Sequence, residues 1–165
     1  MVNTQLAKEI IKMAETDQKM RKEVSKGGAW NGEIDIQNTS KLKEIVSKFG
    51  WPTISLVGEK ASSSAWLLTQ HADHDLEFQQ KCLKLMKDAY SANKDEVLPK
   101  NIAYLTDRIL VAEGKEQLFG TQFYTNQSGE LVPRPIAEKE TLDKRRSEMG
   151  LGTFEEYNKL MQENF

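Results

Sequence analysis

The sequence predicts a mainly α-helical, single-domain bundle with one long central helix and a small β-hairpin, and three observations carry that expectation. Apolar residues recur at helical spacing along the chain, as in Leu6, Ile10, Met13, Met20 and Val24, and again in Leu68, Phe78, Cys82, Met86 and Ala89. Glycine and proline fall between these runs rather than inside them. A chain of 165 residues, 38% of them hydrophobic, is long enough for one packed core and requires no second domain.

The first helix is predicted from about Thr4 to Lys26, ended by Gly27 and Gly28, with Trp30 in the loop beyond it. A second runs from Ser40 to Phe49, with Leu42, Ile45, Val46 and Phe49 inward, and stops at Gly50 and Pro52. Thr53 to Val57 is either a short strand or a loop under the core. From Ala61 to Ala92 no glycine or proline interrupts the pattern, so this stretch is read as one central helix. Pro99 admits a further, largely buried helix over Asn101 to Glu113. Residues 116–133 combine aromatic and β-branched residues with a Ser-Gly turn signal and are read as a hairpin appended to the helical domain. Pro133 and Pro135 confine its second strand to an edge. Two C-terminal helices follow, over Thr141 to Met149 and Phe154 to Gln162, the last opened by a capping box from Thr153 to Glu156.

Composition narrows the function classes. Charged residues make up 29% of the chain with both signs interspersed, and the formal net charge is -2, so no basic field exists to neutralise phosphates and nucleic acid is not an expected partner. Cys82 is the only cysteine, which excludes an internal disulfide and a multi-cysteine zinc site and fits a reducing compartment. The opening MVNTQLAKEIIK has no signal-peptide core, and no stretch approaches membrane-spanning length, so a cytoplasmic protein without membrane contact is expected.

The candidate chemistry lies where polar groups interrupt apolar helix faces. Asp17 stands among Ile10, Met13, Met20 and Val24; His71 and Asp75 interrupt the stripe from Ser64 to Ala89; Asp107 sits with Ala103, Leu110 and Val111. Buried ionisable groups are costly unless paired, so these breaks in pattern are read as one shared interior site. His71 and Asp75, one helical turn apart, form a candidate general base with its orienting carboxylate, or else a structural pair closing a polar gap. Asp17 and Asp107 are the remaining catalytic candidates. Arg21, Arg108, Gln122 and Tyr104 are the candidate substrate contacts, with a solvent-facing strand residue at Gln122 and an ordinary core tyrosine at Tyr104 as the alternatives. His74 projects away from the stripe and is read as a rim residue, and Cys82 as core filling. No metal or other cofactor is expected, because an unbroken helix would place Asp73 opposite Asp75, and nearby arginines would oppose a cation. No phosphate loop, serine-nucleophile elbow or dinucleotide fingerprint is present.

The words MAETDQKMR, GWPTISLVG, QHADHDLEFQ, YLTDR and GKEQLFGTQF resemble the signature blocks of a bacterial family catalogued only as a domain of unknown function. The resemblance runs from about Asp17 to the final GLGTFEEY and implies no activity. Its blocks fall on Asp17, Arg21, His71, Asp75, Asp107, Arg108 and Gln122, the same positions that the helix faces select. The sequence therefore points to a small enzyme, hydrolytic or otherwise acid-base, acting on a polar small molecule in an interhelical cleft. The competing reading is a non-catalytic ligand-binding or interaction module with a structural polar network.

Overall fold

The computed structural model describes residues 2–164, which fold mainly as α-helix with one small antiparallel sheet. They form two compact units, Met1–Leu98 and Pro99–Phe165. Among the described residues no helix is long and apolar enough to cross a membrane.

In the first unit, α1 (Thr4–Val24) starts at Asn3, whose Oδ1 accepts from the Leu6 amide at 3.1 Å. Its inward face carries Leu6, Ile10, Ala14 and Met20 in one stripe that also contains Asp17. Next comes α2 (Gly32–Phe49), which begins eight residues before the predicted start at Ser40. Asn31 caps it by accepting from the Glu33 amide, and Asp35, Thr39, Leu42 and Val46 make its buried stripe. The polar composition of residues 33–41 concealed that periodicity. A single-turn helix α3 (Ile54–Val57) stands where a strand or loop was expected.

The predicted central helix over 61–92 is two helices, α4 (Glu59–Gln70) and α5 (Leu76–Ala92). Asp75 is the N-cap of α5, its Oδ1 accepting from the Phe78 amide at 3.0 Å, and His71 closes α4, so residues 71–75 form a tight connection. Asp75 has the side chain of a helix starter, and no glycine or proline was needed to break the run. Ala61, Ser62 and Ala65 present a small-residue face on α4, which lets α1 pack closely along it. Leu42, Ile45, Leu68, Cys82 and Met86 are nearly or wholly inaccessible and form the core of this unit.

The second unit starts with α6 (Pro99–Ala112), with proline in the first turn where its missing N–H costs nothing. Ile102, Leu105 and Ile109 face its core. The hairpin pairs β1 (Phe123–Thr125) with β2 (Leu131–Pro133) in the register Phe123 to Pro133 and Thr125 to Leu131. Two helices follow, α7 (Leu142–Glu148) and α8 (Phe154–Asn164). The capping box is present: the Thr153 amide donates to Glu156 Oε2 at 3.1 Å and the Glu156 amide to Thr153 Oγ1 at 3.3 Å.

Candidate functional site

Three elements of the first unit bring ionisable side chains together. α1 supplies Asp17, wholly inaccessible, and Arg21 one turn later; α2 supplies Asp35 from its first turn; the end of α4 supplies His71. His71 Nδ1 lies 3.0 Å from both carboxylate oxygens of Asp17. Arg21 Nε donates to Asp17 Oδ1 at 3.1 Å and lies 3.0 Å from the same imidazole nitrogen, while its Nη2 donates to Asp35 Oδ1 at 2.8 Å. Gln18 Nε2 donates to Asp17 Oδ2 at 2.8 Å.

Three side chains crowd the Asp17 carboxylate, and Nδ1 of His71 faces both that carboxylate and the Nε–H of Arg21. A protonated Nδ1 donates to the carboxylate and leaves Arg21 Nε its own acceptor on Oδ1, whereas a bare Nδ1 accepts from Arg21 Nε. In the first of these tautomers Nε2 carries the free lone pair of the ring. Nε2 has no hydrogen-bond partner among the described residues and is not buried, and His71 lines a cleft of about 350 Å³ with Arg21, Trp30, Asp35, Asp73 and His74.

Electrostatics differ between the two aspartates. Burial pushes Asp17 up, but hydrogen bonds from His71 and Gln18 and the charges of His71 and Arg21 outweigh it and hold the carboxyl below its ordinary value. Burial pushes Asp35 up, and Asp17's charge adds to it, so Asp35 lies above its ordinary value despite Arg21. Gln79, almost wholly buried, secures the connection that carries His71: its Nε2 donates to the carbonyls of Thr69 and Gln70 at 3.1 and 3.3 Å and to Asp73 Oδ1 at 3.2 Å.

The structure corrects the partner of His71. No hydrogen bond or ion pair joins His71 to Asp75 among the described residues; Asp75 caps α5 and pairs with Lys43, whose hydrogen bond holds it below its ordinary value against the opposing effect of burial. The predicted one-turn spacing fails because the helix ends between the two. The break also removes the phase argument against metal: Asp17, Asp35 and His71 each offer a ligand atom, all within 4.8 Å of one another. Arg21 supplies the positive charge among them. Sequence reasoning missed Asp35, because α2 was started too late, and Gln79, which had no signal. His74 is exposed at the cleft rim, as expected. Cys82 is wholly buried and its thiol is pushed up to about 12 by burial, which fits core filling.

Asp107, Arg108, Gln122 and Tyr104 belong to the second unit. Asp107, wholly inaccessible, accepts from the amides of Leu118, Phe119 and Thr121 and from the Thr121 hydroxyl, at 2.7 to 3.1 Å. Burial pushes this carboxyl up and the amides pull it back. These hydrogen bonds of Asp107 go to a loop 11 to 14 residues later, which makes it a loop organiser rather than a free acid or base. Gln117 continues the work: its side chain accepts from the Gln122 amide and donates to the carbonyls of Gln122 and Arg134 at 2.8 to 3.0 Å. Gln122 Nε2 donates to Thr121 Oγ1 at 3.1 Å, and Arg108 Nη1 approaches Gln122 Oε1 at 3.5 Å. Arg146, 2% exposed, donates to the carbonyls of Gly152 and Phe119 and lies over the rings of Phe154 and Tyr157. Tyr104 packs edge-on against Tyr157 at 6.2 Å.

The chain belongs to a family of unknown function, DUF6624, which matches residues 4–165. No curated protein and no solved structure matches it.

Proposed function

We propose that the first unit is an acid-base enzyme, hydrolytic in its simplest form, acting on a polar small molecule in the cleft at His71. The observation that carries the reading is a buried carboxylate, Asp17, 3.0 Å from Nδ1 of an imidazole that also lines a cleft. In the proposed mechanism Asp17 fixes the Nδ1–H tautomer and stabilises the imidazolium, and Nε2 takes a proton from water or a substrate hydroxyl and returns it to the leaving group. Arg21, anchored by Asp17 and Asp35, stabilises negative charge developing on the substrate. The lone buried cysteine supports a reducing, cytoplasmic setting for it.

A panel of chromogenic esters, phosphate mono- and diesters, amides and nucleosides tests this with wild type, His71→Gln and Asp17→Asn. Turnover by wild type is expected to fall by about a hundredfold or more in His71→Gln while the variant stays folded by circular dichroism. Wild type and His71→Gln performing alike across the panel would refute the reading. A second reading, a metal-assisted hydrolase, draws on the Asp17, Asp35 and His71 donor set. In that case activity rises with added divalent ion and is lost in Asp35→Asn as completely as in His71→Gln.

A further inference from the structure

The cleft carries, besides the proton-transfer pair and Arg21, an exposed apolar surface that the acid-base reading does not use. Trp30 is 55% exposed at its mouth and Ile36 57%, two of the largest exposed apolar side chains described. The indole is held rather than loose: the Arg21 guanidinium lies 4.9 Å from its ring centroid. A side chain at Gly32 would bring its Cβ within 3.3 Å of Trp30 Nε1, so glycine at the start of α2 leaves the ring its space.

Beside this platform stand a donor and an acceptor with nothing to bind. Arg21 spends Nε and Nη2 on Asp17 and Asp35, and its Nη1 has no partner among the described residues; Asp35 uses Oδ1 for Arg21, and its Oδ2 has none. Neither atom is buried, and both residues line the cleft. The Nη2–Oδ1 bond ties this guanidinium to this carboxylate, and a paired donor and acceptor group of this kind suits the edge of a planar ring in which a carbonyl or bare ring nitrogen adjoins an N–H. The formal charge of the lining sets a further condition: Asp35 and Asp73 outnumber Arg21 by one, a field that disfavours phosphate and carboxylate.

We propose that the substrate is an uncharged nitrogen heterocycle of the nucleobase type, without phosphate, stacked on Trp30 with its donor-acceptor edge on Arg21 and Asp35. The proposal rests on the acid-base reading for what happens next, but binding is separable from turnover. The two sources of such a ring, free base and nucleoside, differ in whether a sugar is carried.

Binding of cytosine, uracil, cytidine and uridine, and of the two nucleoside 5′-monophosphates, is measured by ligand-observed NMR and isothermal titration on the full chain. At least one base or nucleoside is expected to bind saturably below about 10 mM, with its monophosphate about tenfold weaker or more. A nucleoside binding while its base does not assigns the sugar to the substrate; equal binding assigns the base alone. Trp30→Ala is expected to weaken binding by about fivefold to a hundredfold, Trp30→Phe by much less, the range that base stacking supplies. His71→Gln keeps binding and loses turnover, which separates failure of this proposal from failure of the acid-base one. No saturable binding of any base or nucleoside, monophosphates bound as tightly as nucleosides, or Trp30→Ala binding like wild type would overturn it.

Discussion

Replacing Asp107 by asparagine keeps the shape of the side chain and removes its charge and one acceptor. In the wild type four donors converge on the two carboxylate oxygens: the amides of Leu118, Phe119 and Thr121 and the Thr121 hydroxyl. The single amide oxygen of asparagine can serve two of them, and its NH2 then faces the other two. Leaving two buried donors unpaired costs about 1–3 kcal/mol each, so about 2–6 kcal/mol together. Part of this is recovered, because the burial that pushes Asp107 up is a cost paid by the charge alone. We therefore expect Asp107→Asn to lose about 3 kcal/mol, which for a chain of this size lowers Tm by roughly 6–12 °C. Thermal and urea unfolding followed by circular dichroism read this directly. Thr121→Val, which removes the hydroxyl that donates to Asp107 and accepts from Gln122 Nε2, should cost about 1 kcal/mol in the wild type and less in the Asp107→Asn background. A Tm loss below about 2 °C for Asp107→Asn would refute the loop-organising role and return Asp107 to the catalytic candidates.

Three further outcomes follow from the same geometry. Gly120 has φ of 67°, and a Cβ there would lie 2.8 Å from two ring atoms of Phe154, so Gly120→Ala should cost about 2–4 kcal/mol in the same unfolding assays. Asp17 is held below its ordinary value, so the folded state binds fewer protons than the unfolded one between the two values; its stabilisation is complete above about 3.9 and is lost as pH falls through the folded value. The stability gap between wild type and Asp17→Asn should then close in acid, and a gap independent of pH would contradict the assignment. Zinc binding to Asp17, Asp35 and His71 would displace Arg21 and claim the His71 nitrogen, so added zinc should inhibit turnover; activation would favour the metal-assisted reading instead.

Periodicity located Asp17 and His71 on faces that are buried or half-buried, because a charged residue inside an apolar stripe is visible in one dimension. Pairing was not visible in the same way. His71 reaches a carboxylate 54 residues away, and Asp107 reaches amides in a later loop, contacts set by tertiary packing rather than by spacing. The 61–92 stretch shows the limit of a pattern without punctuation: an aspartate can cap a helix as effectively as a glycine can end one, and Asp75 was read as a catalytic neighbour for that reason. Asp35 was lost through a boundary placed at Ser40, after which its i, i+4, i+7 relation to Thr39 and Leu42 had no helix to belong to. The capping box at Thr153 and the hairpin around its Ser-Gly turn were legible because both depend on local chemistry.

The tautomer of His71 tests the central claim most directly. The chain has only two histidines, His71 and His74, so the four ring nitrogens can be assigned in a ¹⁵N–¹H long-range correlation spectrum by comparison with His71→Gln. At a pH where the ring is neutral, the Asp17 pairing predicts a proton on Nδ1 and a bare Nε2, with the Nδ1–H signal shifted in Asp17→Asn. A proton on Nε2 instead, with Nδ1 accepting from Arg21 and unmoved by Asp17→Asn, would contradict the account, because the nitrogen that faces the cleft would then have no base to offer.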